Sequence, residues 1–377
     1  MRFELSEEQL QIQEMVRNLA RKSFAPGAAR IDEESLYPQE NTRRLAELGL
    51  LGMLFPVPYG GSEAGAVAYN IALREVASGC ASTAVGMAVT SMVGETIWRF
   101  GDEEQRRKYL PGLASGSIGA GAFALTEPSA GSDAGSLKTF AEEDGDTYVL
   151  SGSKSFITNG THAGVTIVLA VTQKEPRQIT AFIVERGTPG FAAGRPERKL
   201  GLKGSDTATL SFDECRIPKR NRLGASGEGF KIALSALDGG RIGIASQAIG
   251  IARAALDTAA AYAKERKQFG QPIADFQAIQ WMLADSATEL EAAQLLVYRA
   301  ACLKDQGRPY TRESSMAKLF ASEAGNRACH KAVQILGGYG YVSEYPVERH
   351  LRDVRVTTIY EGTSEVQRMV ISRSMLR

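Results

Sequence analysis

Apolar residues in the first third of the chain recur at the spacing of a helix. The capping-box pattern Ser6-Glu7-Glu8-Gln9 precedes one such run, which predicts a helix that ends at Pro26-Gly27. Further helices are predicted over residues 41–50, 66–78, 83–100 and 102–109. Everything up to residue 115 is therefore predicted to be helix and loop.

The pattern changes after Gly116, where short runs of β-branched and aromatic residues alternate with turn residues. Strands are predicted over residues 120–125, 147–150, 165–171, 179–184 and 207–212. Their length and the density of turns favour a compact antiparallel β domain or barrel. Residues 218–229 are polar and contain glycine, which is typical of a linker.

Helical spacing returns from Phe230 onward. Residues 230–265 are apolar nearly all round, which indicates a helix buried in a bundle. Further helices are predicted over residues 279–303, 313–336, 345–355 and 365–375. The fold class is therefore α+β with three domains: an N-terminal α-helical domain (1–118), a middle β-barrel domain (119–228) and a C-terminal four-helix bundle (229–377).

Charge and composition exclude several classes of function. The 377 residues include 44 Lys plus Arg and 43 Asp plus Glu, so no net charge favours nucleic acid or an anionic membrane. No uncharged run of 18 apolar residues predicts a membrane span, and Met1–Leu10 lacks the apolar stretch of a signal peptide. The four cysteines form no CxxC pair and are expected to be reduced thiols in a cytoplasmic protein. The three histidines lack metal-ligand spacing, so no metal site is predicted.

A single carboxylate stands out near the C-terminus, in Ile359-Tyr360-Glu361-Gly362-Thr363. Glu361 follows an aromatic residue and precedes a glycine at which the backbone can turn or a ligand can approach. Thr363 or Ser364 can then cap the last helix. Taken alone, Glu361 is either a general base in an apolar pocket or an acid at a helix start.

Two motifs follow predicted strands. In the segment 123–133, a strand ends in Thr126-Glu127-Pro128 and continues into a loop of small residues, which can lie along a flat ring or a pyrophosphate, or can be a surface turn. In Ser155–Gly160, Phe156 can cover a conjugated ring and Thr158 is expected on the same strand face. Asn159-Gly160 is typical of a hairpin turn.

Three more motifs fall in the helical C-terminal part. Asp238-Gly239-Gly240-Arg241 places a cation beside glycines, which suits an anionic ligand or is a surface arginine at a helix irregularity. The cations in segment 266–273 are normal at a helix end and also suit a pyrophosphate. The glycines in segment 334–341 are typical of a helix cap. No GxGxxG opens a helix after a strand, so a Rossmann site is not supported.

Together and in this order, these motifs resemble one family over essentially the whole chain, the acyl-CoA dehydrogenases, which are flavoenzymes that oxidise acyl-CoA thioesters. The helix, β, helix arrangement is similar to that family's fold. The resemblance implies that FAD is the cofactor. The residues that it implies around FAD are Phe123, Leu125, Thr126, Ser132, Phe156, Thr158, Arg266, Phe269, Gln334, Gly338, Thr363 and Glu365. Ser132, Asp238, Arg241 and Gly362 are implied for the substrate.

The resemblance also implies a mechanism and partners. Glu361 matches the family's base, which removes the α-proton while flavin N5 accepts the β-hydride, to give a 2,3-enoyl-CoA. Arg266, Phe269, Gln334 and Gly338 would reach the FAD of a neighbouring subunit, which implies a homotetramer built as a dimer of dimers. An electron-transferring flavoprotein is the implied electron acceptor.

Departures from the family's patterns narrow the expectation. Some branches place the base before the arginine of the third motif, where this chain has Gly240, so Glu361 is the available carboxylate and the chain resembles the short-chain, butyryl-CoA branch. No arginine lies in residues 82–91, which disfavours a dicarboxylic substrate. Straight short, branched and alicyclic acyl groups remain open. The alternatives are an oxygen-reactive flavin oxidase or monooxygenase of the same fold and a non-catalytic helical binding protein.

Overall fold

The computed structural model describes residues 4–376; Met1–Phe3 and Arg377, which the predicted domain ranges include, lie outside the described residues. The part before the sheet is helical, as predicted. Its α-helices are α1 (Glu7–Leu19), α2 (Ala28–Glu33), α3 (Gln39–Glu47), α4 (Gly65–Gly79), α5 (Ala81–Phe100) and α6 (Glu103–Ser115).

The first helix begins as predicted but does not end where predicted. Ser6 accepts the N–H of Gln9 and the Gln9 side chain accepts the N–H of Ser6, which completes the capping box. Beyond Leu19 the chain continues through a π turn (Ala20–Phe24) and a 3-10 turn (Ala25–Gly27) directly into α2. The prediction that Pro26-Gly27 ends the helical path was wrong, because proline is tolerated in the first turn of a new helical segment.

The middle part is one mixed sheet. Its strands are β1 (Ala120–Ala124), β2 (Phe140–Asp144), β3 (Thr147–Thr158), β4 (Ala163–Gln173), β5 (Gln178–Glu185), β6 (Phe191–Ala193), β7 (Thr207–Pro218) and β8 (Arg222–Leu223). The order is β6-β7-β3-β2-β4-β5-β8, with β1 paired to β4. Most pairs are antiparallel, as predicted, whereas β1 and β2 pair with β4 in parallel.

Three details of the sheet correct the prediction from the sequence. The hydrogen-bond ladder of the described residues runs between two edge strands, β6 and β8, so it is the ladder of an open sheet and not of a closed barrel. Strands β2 and β6 were not predicted, and the predicted linker 218–229 contains β8, which pairs with β5. Asn159-Gly160 makes a turn but no hairpin, because β3 and β4 are not neighbours in the sheet.

The sheet buries both of its faces. One face holds a cluster that includes Ala122, Leu150, Phe182 and Leu210, and these residues come from strands far apart in the sheet order, so the sheet curls around them. The other face packs against helices of both helical parts, with Val165, Ile167 and Leu169 of β4 in the shared core. This packing fixes the carboxyl end of β1 against α5 and α7.

The C-terminal part is helical, as predicted. It consists of α7 (Gly229–Glu265), the short pair β9 (Lys267–Gln268) and β10 (Gln271–Pro272), α8 (Gln277–Asp305), α9 (Thr311–Leu336), α10 (Val347–Val354) and α11 (Ser364–Leu376). Helices α7, α8 and α9 pack against one another, and α10 and α11 pack on α9. Helix α4 packs on α7 and α8, so the two helical parts share a core. Within residues 4–376, no helix is both long and apolar enough to cross a bilayer.

Candidate active site

The candidate carboxylate lies in a strained turn between α10 and α11. Glu361 and Gly362 have φ angles of 55° and 88°, a left-handed conformation that non-glycine residues rarely adopt. Buried side chains hold it: Gln367 Nε2 donates to the carbonyls of Glu361 (3.1 Å) and Gly362 (2.9 Å), and Lys318 Nζ donates to the Gly362 carbonyl (2.7 Å). Strain that is held in this way is typical of functional sites.

Oε2 of the half-buried Glu361 side chain is buried against α5 and α7. A Cβ atom placed on Gly240 would lie 2.8 Å from Glu361 Oε2 and 3.2 Å from Met92 Sδ, so the carboxyl group occupies the space that a side chain at 240 would fill. Oε2 has no hydrogen-bond partner among the described residues. Burial raises the pKa of Glu361 to about 7, against the opposing charges of Arg241 and Lys318. A carboxyl group with this pKa can accept a proton near neutral pH.

Arg241 lies inside the protein, beside this carboxyl group. Its Nη1 pairs with Asp238 Oδ1 at 2.7 Å, and Thr311 Oγ1 donates to the other carboxylate oxygen of Asp238 at 2.5 Å. Burial raises the pKa of Asp238. The alternative of a surface arginine at a helix irregularity was wrong, because Arg241 is buried and α7 is unbroken around it. The structure therefore brings the third motif together with Glu361.

The two β motifs are joined by a buried ion pair. Lys154 of β3 is fully buried, and its Nζ contacts Glu127 Oε1 at 2.8 Å and the Leu125 carbonyl at 3.1 Å. Burial lowers the pKa of Lys154 to about 8. Burial also opposes ionisation of Glu127, but Lys154 and the hydrogen bonds from Thr139 and Lys138 together hold the pKa of Glu127 below its ordinary value. The Ser155 N–H also donates to the Thr126 carbonyl at 2.9 Å. The segment after β1 is therefore anchored and is not an ordinary surface turn.

The aromatic residues predicted around a flavin occupy different environments. Phe123 packs with Val89, Met92 and Ala236, and Met92 also reaches the Gly240 position, so Met92 connects Phe123 with the site of the Glu361 carboxyl group. Phe156 is 68% exposed and has a φ of 58°, within a register shift between β3 and β7. This irregularity interrupts the strand alternation from which Phe156 and Thr158 were predicted to share a face.

Thr158 and Ser132, the polar residues predicted in the same two motifs, also differ in their exposure. Thr158 pairs with Thr207 of β7 and is half-buried. Ser132 is exposed in the loop that follows β1.

A cavity of about 740 Å³ lies where α7 and α9 end. Arg266 and Gly338 line it, with Tyr262, Tyr339 and Tyr345, and the Arg266 guanidinium lies 5.7 Å from the centre of the Tyr339 ring. A cation beside aromatic rings can bind a phosphate and a nucleobase.

The other two residues predicted in this region lie outside that lining. Gln334 is exposed on α9, and Phe269 is 94% exposed with its ring edge-on to Phe276. Neither has its side chain in the cavity of its own chain.

A second cavity, of about 410 Å³, lies at the start of α11. Thr363 and Glu365 line it, with Arg327 and Arg355 of the neighbouring helical segments. Thr363 Oγ1 accepts the N–H of Val366 at 3.3 Å, so Thr363 caps α11, whereas the Ser364 hydroxyl is buried without a partner among the described residues. Thr363 thus joins the Glu361 turn to this cavity.

Three buried polar residues near Glu361 were missed in the sequence: Lys318, Gln367 and Gln247. Lys318 lies four residues from both Ser314 and Ser322 on the buried face of α9, so its position in the helical period was a usable signal. Gln247 accepts a short hydrogen bond from the Tyr360 hydroxyl and donates to the Ala81 carbonyl at 3.1 Å. No pattern in the sequence pointed to Gln247 or Gln367.

Comparison with known proteins gives one consistent result. The chain matches three family profiles in order: "Acyl-CoA dehydrogenase, N-terminal domain" over residues 6–117, "middle domain" over 122–215 and "C-terminal domain" over 227–376. These matches cover most of the chain in the order of the three structural parts.

Individual relatives align over almost their full lengths. The chain is 49% identical to the mitochondrial short-chain specific acyl-CoA dehydrogenase of Rattus norvegicus, covering 99% of this chain and 91% of that protein. It is 47% identical to the acryloyl-CoA reductase (NADH) of Anaerotignum propionicum, covering 100% and 96%. Among solved structures, butyryl-CoA dehydrogenase from Megasphaera elsdenii superposes with a TM-score of 0.98 at 45% identity, over 100% of both chains.

Proposed function

The chain belongs to the acyl-CoA dehydrogenase family, and we propose that Glu361 is the base with which it desaturates a short acyl-CoA thioester. The protein is an FAD-dependent oxidoreductase that dehydrogenates acyl-CoA. The observation that carries the base assignment is the buried, unpartnered Oε2 of Glu361, whose pKa burial raises to about 7.

The residues present fit FAD. The 740 Å³ cavity offers Arg266 and tyrosine rings to a nucleotide, and the anchored loop after β1 presents Leu125 and Thr126 beside β3. Thr363 and Glu365 line the second cavity. We propose that these residues, with Phe123, Ser132, Phe156, Thr158, Phe269, Gln334 and Gly338, hold the cofactor. FAD supplies the two-electron acceptor for the β-hydrogen of the substrate.

Glu361 can then act on the α-hydrogen. Its carboxylate removes a proton from the carbon next to the thioester, and the enolate-like charge that develops must be stabilised as it forms. The backbone N–H of Glu361 donates no hydrogen bond within the described part of the chain, so it is free to bind the thioester oxygen. Bound substrate excludes water, which strengthens the electrostatic interactions of the site. We assign Asp238, Arg241, Ser132 and Gly362 to the CoA thioester.

A buried hydrogen-bonded bridge supports a short acyl group. Gln247 lies two turns from Gly240 on the same face of α7, which is about 10 Å along the helix axis. Its side chain joins Tyr360 to the Ala81 carbonyl and so bridges α7, the start of α5 and the residue before Glu361. An acyl chain that starts at Glu361 and runs along α7 therefore meets Gln247 after a few carbon atoms.

Replacing Gln247 with alanine is expected to admit longer acyl chains. The substitution removes the bridge, so kcat/KM for octanoyl-CoA should rise relative to butyryl-CoA by about 10-fold or more, in line with the discrimination of one or two methylene groups in an apolar pocket. The same assay on Thr258→Ala, on the same helix but remote from the bridge, serves as the control. An unchanged ratio for Gln247→Ala would show that the chain runs elsewhere.

A panel of CoA thioesters tests the function itself. Butyryl-CoA added anaerobically is expected to bleach the flavin absorbance of the wild-type protein, with slow recovery in air. Rapid peroxide formation would instead support the oxygen-reactive flavin oxidase or monooxygenase, and a colourless protein that shows no response would support the non-catalytic binding protein. The similarity to acryloyl-CoA reductase makes the reverse reaction the second candidate, which oxidation of the dithionite-reduced protein by a 2,3-enoyl-CoA would reveal.

We also propose the wider assembly. Phe269, Trp281 and Tyr341 are large and highly exposed, and such apolar surface is typical of a subunit interface. This surface supports a homotetramer, a dimer of dimers in which Phe269 and Gln334 reach a neighbour's FAD. Electrons would pass to an electron-transferring flavoprotein, and the enzyme would act in the cytoplasm. The division into residues 1–118, 119–228 and 229–377 is likewise a proposal.

A further inference from the structure

Lys318 is a buried cation with an unusual environment. It lies in α9, its side chain is fully buried, and its Nζ makes one hydrogen bond, to the Gly362 carbonyl at 2.7 Å. No carboxylate of the described residues lies within ion-pair distance of it, whereas the equally buried Lys154 is paired with Glu127. Burying an unpaired ammonium group is costly, so such a group is a candidate for a functional role.

The turn that Lys318 contacts already has another anchor. Gln367 is also fully buried and donates to the same Gly362 carbonyl and to the Glu361 carbonyl. Gln367 can hold the backbone without carrying a charge. Lys318 shares this anchoring role, and what Lys318 alone adds to the turn is a positive charge.

That charge acts on a small set of groups. Arg241 of α7 and Lys318 of α9 are the cations that lower the pKa of Glu361. Arg241 is paired with Asp238, which compensates its charge. Around Lys318 the charged groups are Glu361, Arg241, Glu365 and Glu323. Of these two cations, Lys318 is thus the one that has no directly bound carboxylate.

We propose that Lys318 is a positioning residue, which holds the Glu361–Gly362 turn and keeps the Glu361 carboxyl group in its proton-accepting form. This role rests on the proposed function of Glu361 as base. Gln367 fixes the backbone of the turn without a charge. Lys318 both fixes the backbone and favours the carboxylate form of Glu361. Lys318 acts through Glu361 and touches no reacting atom.

The sign of the pH effect distinguishes this role from a purely structural one. Removing the cation removes an interaction that favours the carboxylate, so the pKa of Glu361 rises above about 7. A turn that is merely loosened admits water, which weakens the effect of burial and lowers the pKa of Glu361. The two roles therefore move the acidic limb of the pH profile in opposite directions.

The test compares pH profiles of kcat/KM for the FAD-loaded wild type and Lys318→Met. The midpoint of the acidic limb is expected near pH 7 for the wild type and at least one pH unit higher for Lys318→Met. The kcat/KM of the variant should therefore be about tenfold below that of the wild type at pH 6 and should recover substantially at pH 9. Gln367→Met, which removes the anchor but keeps the cation, should lower kcat/KM without raising the limb. Lys331→Met, at the surface of the same helix, should leave the limb in place.

A second variant and a second readout guard against misfolding and cofactor loss. Lys318→Gln keeps a donor for the Gly362 carbonyl and loses the charge, so its limb should also rise. Infrared titration of the protonated carboxyl band, as wild type minus Glu361→Gln, reports the same pKa without turnover. A limb that stays or falls in both Lys318 variants overturns the proposal. A wild-type limb that persists in Glu361→Gln would instead overturn the base assignment.

Discussion

Glu361→Gln is expected to lower kcat by about 10²–10⁴-fold while FAD stays bound, because the substitution removes the proton acceptor and keeps the shape of the side chain. The carbonyl groups of the turn keep their bonds to Gln367 and Lys318, so the fold around the site should persist. Stopped-flow bleaching of the flavin by butyryl-CoA measures the reductive step directly, and the visible spectrum measures the FAD content.

Two further variants make this result specific. Glu361→Asp keeps a carboxyl group but withdraws it by one methylene, so its rate should lie between those of the wild type and the glutamine variant. Glu34→Gln, which breaks an exposed pair with Arg30 at the end of α2, should be as active as the wild type. Near-normal bleaching by Glu361→Gln would refute the assignment of the base.

The long helices could be predicted because each buries one face along many turns. Residues 230–265 and 313–336 correspond to α7 (Gly229–Glu265) and α9 (Thr311–Leu336), where helical period and length leave little ambiguity. The missed strand β2 has the sequence FAEED, whose acids carry no strand signal, and it is set by its partner β3. The parallel pairing of β1 with β4 joins residues about 40 apart, which local patterns do not record.

The residues of the site also differ in how far the sequence could predict them. Glu361 and the β motifs were predicted because the motifs together resemble one family, whereas Glu361 alone was ambiguous. The partners that give Glu361 its properties come from distant elements: Gly240 from α7, Met92 from α5 and Lys318 from α9. Their contacts exist only after the helices pack, so no local pattern could show that Lys318 lies beside the catalytic turn.

The buried pair of Lys154 and Glu127 supports a prediction about cofactor binding. Lys154→Met leaves Glu127 buried with its bonds to the N–H groups of Lys138 and Thr139 but without its cation. Breaking one side of a buried ion pair costs about 3–5 kcal/mol, so the free energy of unfolding should fall by roughly this amount. The Leu125 carbonyl also loses its donor, so the loop at the predicted flavin site should loosen and FAD should dissociate more readily.

Urea unfolding and FAD retention after dialysis measure these two effects. Lys219→Met is the matched control, since it breaks an exposed pair with Glu143 in the same sheet and should cost less than about 1 kcal/mol. A double variant, Lys154→Met with Glu127→Leu, should recover part of the stability, because no charge is then left unpaired, but should not restore the hydrogen bond to Leu125. If Lys154→Met kept both its stability and its FAD, the pair would not anchor the loop, and the loop would have to be held by the Ser155–Thr126 bond alone.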